Sequence, residues 1–419
     1  MLLPRSFGTE AKPRVAAVIT EFTHRSHAHV ILENFLQPYL FNGRVVESPC
    51  EVVSMYVDQF PDGEMSRGIS KEYGIPLFPT IAGALQVGGD SLAVDAVLSI
   101  GEHGKYPTND RWQMMYPRKE FFDAIVAVFK ESGKAVPVFN DKHLSYRWDW
   151  AKEMVDTSRA MGFALMAGSS VPLAQRRPPI EFPQGAVVEE AISIHGGGVE
   201  SYDFHALEVL QSQIEFRAGG ETGVKSVEFL EGDAFWKAGE QGRWSIPLAE
   251  AAMAAELGGG LPPLKELAQS EKIGPRPPHA ILIEYVDGTR GAAMTMGSSA
   301  TRWNFACKLK GDSKPLATSY YVGPWQNRNL FKALSHAIQD HFVHRRAPYP
   351  VERTLLVSGI LDIAMDSRYE KGTKIDTPEL NVRYEPIDFK AMREMGKSWE
   401  IITESTPEPM GLDSAKNHT

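Results

Sequence analysis

The residues best suited to chemistry follow predicted strands in the first part of the chain. Three histidines, His24, His27 and His29, follow the first predicted strand, and Glu102 and His103 follow a later apolar strand. Imidazoles and a carboxylate can bind a divalent metal, or can hydrogen-bond a sugar or a phosphate. The spacing matches no known metal signature, and His27 and His29 would not share a helix face. Two alternatives therefore remain: a metal held by His24, His27, Glu102 and His103, or a polar pocket without metal.

Two further candidates for proton transfer are Lys142 and His205. Lys142 comes shortly after the apolar run of residues 135–139, and a partly desolvated lysine at the end of an inner strand can act as acid or base. His205 lies on a predicted helix after the glycines of residues 196–198, and Tyr202, three residues earlier, would share its face. The plainer alternatives are a surface lysine in a polar loop and a core or interface histidine. We take Lys142, His205 and Tyr202 as the candidate catalytic residues.

The elements that must position these residues alternate between strand and helix over the first domain-sized part of the chain. Short apolar runs are typical of strands, and apolar residues with helical periodicity lie between them. This alternation predicts βαβ units and a Rossmann-like, doubly wound parallel sheet. Right-handed crossovers would place the loops that follow the strands at one edge, where such sheets bind ligands. The predicted strands are residues 14–20, 52–57, 93–100, 135–139 and 163–166.

The composition changes near residues 172–183, where two arginines and several prolines indicate a domain boundary. Beyond it, strands with a hairpin turn at Asp287-Gly288, followed by two long helices, predict an α+β domain with a largely antiparallel open sheet. The end of the chain is polar and contains Pro407 and Pro409, so we expect it to be disordered. The predicted units are a Rossmann-like dinucleotide-binding-type domain at 12–172, an α+β domain at 173–400 and a disordered tail at 401–419.

Several stretches, in order, resemble the glucose–fructose oxidoreductase/inositol dehydrogenase family over roughly residues 12–385. The resemblance implies NAD or NADP on the first domain, a sugar, polyol or derivative as substrate, and a homo-oligomer. It places Lys142 at the lysine of the family's Glu-Lys-Pro motif, near the nicotinamide and the substrate hydroxyl. In the family an aspartate stands four residues before the histidine, whereas here Ser201 precedes His205, so the acid/base pair is incomplete. The stretches are 72–76, 80–85, 94–98, 138–143, 162–168, 330–340 and 358–367.

The glycines of a dinucleotide-binding turn are missing after the first strand. In a Rossmann turn they allow a tight bend and a close approach of the backbone to the pyrophosphate. Here Thr20, Phe22 and Arg25 occupy those positions. Arg25 and the helix N-terminus could still bind phosphate, and Asp58 is placed to contact a ribose diol. The candidate cofactor-binding residues are Thr20, Thr23, Arg25, Asp58, Ser99, Gly101, Glu102 and Asp141.

Composition and charge exclude several classes of function. The chain has 419 residues and a net charge of −9, whereas nucleic-acid binding needs a basic face. It contains no long apolar run, so we expect no membrane span, and its start is too polar for a secretory signal. Two cysteines, Cys50 and Cys307, form no metal motif and fit a reducing compartment. We therefore expect a cytoplasmic protein, although a leader removed earlier would leave no trace in the sequence.

Three functions remain open at this point. The leading hypothesis is an NAD(P)-dependent oxidoreductase that acts on a sugar, a polyol or a derivative. The alternatives are a non-redox lyase, isomerase or hydrolase on the same scaffold, and a non-catalytic sugar-binding or regulatory protein. The loop of residues 20–27 separates them. A phosphate-sized space beside it favours the first, converging imidazoles favour the second, and a filled loop without a cleft favours the third.

Overall fold

The first domain is built on a six-stranded parallel sheet. The computed structural model describes residues 11–270 and 277–413. The strands of this part are β1 (Arg14–Glu21), β2 (Tyr39–Phe41), β3 (Arg44–Val46), β4 (Glu51–Gln59), β5 (Leu77–Phe78), β6 (Ala96–Ile100), β7 (Val138–Asp141) and β8 (Leu165–Gly168). The sheet order is β5-β4-β1-β6-β7-β8 with parallel neighbours, and β2 and β3 form a separate hairpin. The predicted doubly wound sheet is confirmed.

Five helices connect these strands and cover both faces of the sheet. They are α1 (His27–Leu36), α2 (Ser66–Tyr73), α3 (Ile81–Gln86), α4 (Arg118–Ser132) and α5 (Trp148–Met161). Helix α1 begins after Ser26, whose side chain accepts a hydrogen bond from the backbone N–H of His29. Helices α4 and α5 end at Gly133 and Gly162, which adopt the left-handed conformation that glycine favours. The apolar centre of β1 is fully buried, as expected for an inner parallel strand.

The second domain is a mostly antiparallel sheet of eight strands, as predicted. Its order is β16-β11-β12-β13-β10-β14-β15-β9, and the β10–β13 pair is parallel. The strands are β9 (Gln175–Arg177), β10 (Val188–Gly196), β11 (Val224–Glu231), β12 (His279–Tyr285), β13 (Arg290–Thr295), β14 (Ser299–Leu309), β15 (Leu316–Tyr321) and β16 (Ile375–Asp376). The helices of this part are α6 (Ser201–Ile214), α7 (Asp233–Glu240), α8 (Ile246–Leu257), α9 (Leu264–Ser270), α10 (Asn327–His344) and α11 (Val351–Tyr369). The chain changes from the first sheet to the second between Gly168 and Gln175.

Both faces of the second sheet are covered by helices. Along β10, Ala191 packs into the core that contains α6, and its neighbour Ile192 packs into the core that contains Phe235 of α7 and Leu248 of α8. The alternation follows from the two-residue period of a strand, which sends successive side chains to opposite faces. The sequence did not predict α7 and α8, so this sheet is less open than we expected.

The C-terminal helices and the tail return to the first domain. Helix α10 packs against α1, and α11 packs against α5 and β8. We expected the tail to be disordered, but up to residue 413 it packs against the first domain. Leu412 is fully buried, and its backbone N–H donates a hydrogen bond to Glu33 of α1. Residues 414–419 lie outside the described part. Within the described residues, no helix has the length and apolar character that a membrane crossing requires.

Candidate functional site

The carboxyl edge of the first sheet forms one wall of a cavity of about 570 Å³. His27 begins α1 after β1, Glu102 and His103 follow β6, and Lys142 follows β7. These strands are adjacent in the sheet, so their ends meet at one place. His205 of α6 lines the cavity from the second domain. The cavity thus brings together five side chains that the sequence analysis selected: His27, Glu102, His103, Lys142 and His205.

Lys142 and Arg118 hold the carboxylate of Glu102 between them. The ammonium of Lys142 lies 2.8 Å from one carboxylate oxygen, and the guanidinium of Arg118 pairs with the other. All three side chains are buried. Burial raises the pKa of Glu102, but Lys142 and Arg118 outweigh it and hold the pKa well below its usual value. Glu102 is therefore an anion that fixes the position of the Lys142 ammonium at the cavity wall.

His27 is oriented by a second buried carboxylate. Its Nδ1 lies 2.6 Å from Oδ2 of Asp141, a residue that is 1% exposed. An ionised carboxylate accepts only, so Nδ1 carries the proton and Nε2 keeps its lone pair for the cavity. This is the arrangement of a general base and its orienting carboxylate. The sequence analysis took Asp141 as a candidate cofactor residue and left His27 open between a metal site and a polar pocket, and it carried no signal for a pair formed by residues so far apart in the chain.

Three residues that the first domain contributes to the cavity wall have a left-handed backbone. Arg25, His103 and Lys142 have φ angles of 64°, 71° and 61°. Residues other than glycine are uncommon in this region, and such backbones concentrate at functional sites. The turns at the strand ends therefore hold these three side chains at the cavity in a backbone conformation that is strained for any residue other than glycine.

His205 pairs with Ser169 instead of the predicted Tyr202. Its Nδ1 lies 2.6 Å from Oγ of Ser169, a residue of the turn after β8. The ring of Tyr202 meets His205 edge-on at 6.3 Å and stacks on Trp303 at 5.1 Å. Burial, with Lys142 and His27 nearby, holds the pKa of His205 well below its usual value. The sequence analysis missed Ser169 and Trp303, since their partners are set by packing between the two domains.

The turn after β1 is not shaped to bind a pyrophosphate. Phe22 is fully buried, and its carbonyl accepts from the backbone N–H of Met65 at 2.7 Å. Arg25 donates to the carbonyl of Trp325 at 2.9 Å and forms an ion pair with Glu408 of the tail. The predicted phosphate ligand is therefore engaged with the second domain and the tail. In a Rossmann site the pyrophosphate needs this turn and the helix N-terminus beyond it.

The carboxylate expected to contact the ribose also has partners within the chain. Both carboxylate oxygens of Asp58 accept hydrogen bonds, from Tyr56 at 2.8 Å and from Tyr106 at 2.6 Å. Tyr106 belongs to the segment after β6, which crosses over the end of β4 to reach Asp58. Arg25 and Asp58 thus have partners within the chain itself, and NAD or NADP bound in its usual place would have to displace those partners.

The remaining candidate cofactor residues contact the chain itself. Thr20 donates to the carbonyl of Glu102 at 2.6 Å, and Thr23 donates to Glu21 at 2.9 Å. Gly101 leaves room for Arg118, because a side chain there would come within 2.7 Å of it. Ser99 is buried, and within the described residues its hydroxyl has no hydrogen-bond partner.

The four residues proposed as metal ligands do not form a ligand set. His24 lies with His29 against Asp413 of the tail, and the two oxygens of Glu102 are paired with Lys142 and Arg118.

Two other clusters, His24–His29–Asp413 and His195–Asp203–His279, have suitable distances between ligand atoms. In each, one imidazole accepts a backbone N–H at Nδ1: His29 from Arg25 at 2.9 Å, and His195 from Gly197 at 3.2 Å. A neutral imidazole that accepts at Nδ1 carries its proton on Nε2. The Nε2 proton of His195 faces Asp203 at 2.9 Å, and the Nε2 proton of His29 lies nearest Glu33 at 3.2 Å. In neither ring does this nitrogen have a lone pair to offer a metal.

The fold is shared with solved dehydrogenases. No family model matches the sequence, and no curated protein sequence matches it. GenD2 from gentamicin A biosynthesis, solved with NAD, is 12% identical over 90% of this chain and 99% of that chain, with a TM-score of 0.54. Myo-inositol dehydrogenase from Lactobacillus casei, solved with NAD(H) and myo-inositol, is 13% identical over 87% of this chain and 96% of that one, with a TM-score of 0.51.

A third solved structure, myo-inositol 2-dehydrogenase from Lactobacillus plantarum, is 9% identical over 87% of this chain and 99% of that chain, with a TM-score of 0.53. The family resemblance drawn from the sequence is thereby confirmed at the level of the fold. Identities this low carry no activity, substrate or cofactor from those proteins to this one.

Proposed function

We propose that this protein is an enzyme that moves a proton on a hydroxyl-bearing small molecule bound in the cavity between the two domains. One observation carries the proposal: the oriented base His27–Asp141 and the buried ion pair Lys142–Glu102 line the same cavity. A base and a cation on one small cavity suit the removal of a proton next to a carbonyl, where negative charge develops on oxygen.

The residues divide the reaction between them in a simple way. Nε2 of His27 takes the proton from carbon, and Asp141 stabilises the imidazolium that results. The electron pair moves onto the carbonyl oxygen, and the ammonium of Lys142 stabilises that charge. Return of the proton to the former carbonyl carbon, with transfer of the proton of the neighbouring hydroxyl to the enolate oxygen, gives an isomer. If the enolate instead re-forms the carbonyl as a neighbouring group leaves with its bonding electrons and takes the proton from His27, the result is a lyase product. No step needs an oxidant or a metal.

The substrate class that fits the cavity is a sugar, a polyol or a derivative that contains a carbonyl. The stacked rings of Tyr202 and Trp303 form an apolar wall, and Ser170, Thr301 and Asn327 add polar groups around it. An aromatic wall with a few polar groups is typical of sites for ligands that are apolar on one face and polar at the edge. The converging imidazoles favour the non-redox alternative from the sequence analysis.

The test is deuterium incorporation, which can be run on many compounds at once without the substrate having been identified. The protein is incubated in D₂O with a panel of keto-sugars, keto-inositols and uronic acids, and each compound is examined for a mass increase. We expect one class to exchange, and His27→Asn to slow the exchange by at least about 100-fold. The matched control is His344→Asn, which removes a solvent-exposed imidazole that pairs with Asp340. Equal exchange in wild type and His27→Asn would refute the assignment of the base.

A second candidate is the NAD(P)-dependent oxidoreductase predicted from the sequence. The fold supports this candidate, since two of the solved structures above carry NAD or NAD(H). The partners that Arg25 and Asp58 have within the chain speak against it. The discriminating measurement is a titration with NADH and NADPH that follows nicotinamide fluorescence, beside Lys142→Ala. Micromolar binding would favour the oxidoreductase. No binding at millimolar cofactor, together with deuterium exchange, would favour the non-redox enzyme, and loss of both signals would leave the non-catalytic sugar-binding protein.

A further inference from the structure

Ser169 and His205 form a buried pair behind the cavity. Ser169 follows Gly168 at the end of β8, and His205 projects from the second turn of α6. The two side chains meet at 2.6 Å, between Oγ and Nδ1, and their residues are 2% and 8% exposed. The imidazole also packs against Trp303, ring edge to ring face at 5.3 Å. Its orientation is therefore fixed.

The protons of this pair can be assigned by accounting for each donor. The oxygen of Ser169 already accepts the backbone N–H of Val171 at 3.1 Å. Within the part of the chain that the structure describes, Nδ1 of His205 is the acceptor in reach of the Ser169 hydroxyl proton. A proton on Nδ1 would leave that buried hydroxyl without an acceptor, which is unfavourable. Ser169 therefore donates to Nδ1, and the single proton of the neutral ring sits on Nε2.

The two imidazoles at the cavity are thus held in opposite senses. Asp141 accepts from Nδ1 of His27, so Nε2 of His27 offers a lone pair. Ser169 donates to Nδ1 of His205, so Nε2 of His205 offers an N–H. The first is suited to accept a proton, and the second is suited to hold an oxygen.

We infer that Ser169 is a positioning residue that makes His205 a neutral hydrogen-bond donor, and that Nε2–H of His205 binds an acceptor oxygen of the ligand, a carbonyl or a hydroxyl, instead of relaying a proton. The tautomer follows from the structure alone, and the role toward substrate rests on the proposed function. A carboxylate partner on Nδ1 would produce the opposite tautomer. The serine therefore decides which chemistry this histidine performs.

The tautomer is measured by NMR on the full chain with ¹⁵N-labelled histidine. Long-range ¹H–¹⁵N correlations distinguish a ring protonated at Nε2 from one protonated at Nδ1, and the signals are assigned by their loss in His205→Gln and His27→Gln. At pH 7 we expect His205 to carry its proton on Nε2 and His27 on Nδ1. A proton on Nδ1 of His205, or on both nitrogens, would overturn the inference.

The variant that tests the role of the serine is Ser169→Ala, with Ser170→Ala as the matched control on the same turn. We expect Ser169→Ala to change the ¹⁵N chemical shifts of the His205 ring. In Ser169→Thr and in Ser170→Ala these shifts should remain those of the wild type. Thermal unfolding of each variant identifies any loss of the fold, and the Ser169→Thr arm keeps the test decisive if alanine is not tolerated. Unchanged His205 shifts in a folded Ser169→Ala protein would refute the positioning role.

The role toward the ligand is tested with the panel compound that exchanges deuterium. We expect Ser169→Ala to raise its KM by about 3- to 10-fold, the effect of one weakened neutral hydrogen bond, with a smaller change in kcat. An equal loss in kcat with a changed pH profile would show that His205 relays a proton. If no compound exchanges while the tautomers are as expected, the proposed function fails and the assignment of the His205 tautomer stands.

Discussion

The change Glu102→Gln tests whether the buried ion pairs hold the cavity wall in place. Glu102 is 6% exposed, Lys142 is 5% exposed and Arg118 is 1% exposed, so each of the three charges has lost most of its hydration. The glutamine has nearly the same shape and can accept from one cation through its amide oxygen. Its NH₂ group then faces the other cation, which is left buried and unpaired.

The expected magnitude follows from that uncompensated charge. Removing one partner of a buried ion pair costs about 3–5 kcal/mol, because the remaining charge has lost its hydration without compensation. For a domain of this size each kcal/mol shifts the thermal midpoint by about 2–4 °C, which gives a decrease of about 6–20 °C. The matched control is Glu400→Gln, whose pair with Lys397 has both side chains about two-thirds exposed, and we expect no measurable shift there.

The measurement is thermal unfolding of wild type and both variants between pH 7 and pH 3. Because the folded pKa of Glu102 lies well below 4.5, its stabilising contribution is complete above about pH 4.5 and is lost as the pH falls toward the folded value. The difference between wild type and Glu102→Gln should therefore be constant from pH 7 to pH 5 and should narrow below that. A shift in Glu102→Gln as small as that of the control, or a difference that grows on acidification, would refute the reasoning.

Four further variants test buried groups. Burial raises the pKa of Glu208 to about 7, so ionising this carboxyl group destabilises the folded protein as the pH rises from about 4.5 to 7. Glu208→Gln should therefore raise the thermal midpoint at pH 8 and leave it unchanged at pH 5. Glu215→Gln on the same segment should lower the midpoint at both pH values, because it leaves the buried guanidinium of Arg353 without its carboxylate. Lys142→Met should slow deuterium exchange by about 100-fold or more, since the charge opposite the developing oxyanion is lost, and an unchanged rate would refute that role. Leu412→Ala should cost about 2–4 kcal/mol as seen by thermal unfolding, and an unchanged midpoint would mean that the tail is not docked in solution.

The sequence predicted the convergence at the sheet edge because that depends on topology alone. Adjacent parallel strands end at the same edge, so any polar groups that follow β1, β6 and β7 must meet there. This rule is sufficient to bring His27, Glu102, His103 and Lys142 together. It does not give their partners, since a hydrogen bond such as His27–Asp141 depends on side-chain direction within each turn.

The segments that the sequence missed are those whose structure depends on distant partners. The tail has prolines and polar residues that are typical of disorder, yet Glu408 and Asp413 find Arg25 and His24 on the turn after β1. Likewise, the sequence did not predict α8, because its apolar residues pack against the outer face of the second sheet, which only the tertiary structure defines. Local composition describes what a segment does alone, whereas packing depends on the surface it meets.

The turn after β1 lacks the features of a phosphate-binding turn, whereas the groups that line the cavity are held in place. In a Rossmann sheet the residues just after β1 and β4 contact a dinucleotide, whereas here the start of α1 and the turns after β6 and β7 line the space between the domains. Here Phe22 and Asp58 are bound by the chain itself, and His27, Glu102 and Lys142 line the cavity. Since no residue of the second group depends on a ligand at the first, loss of the phosphate turn leaves the acid–base groups in register. A fold shared with solved dehydrogenases can thus hold acid–base groups at this cavity through contacts within the chain alone.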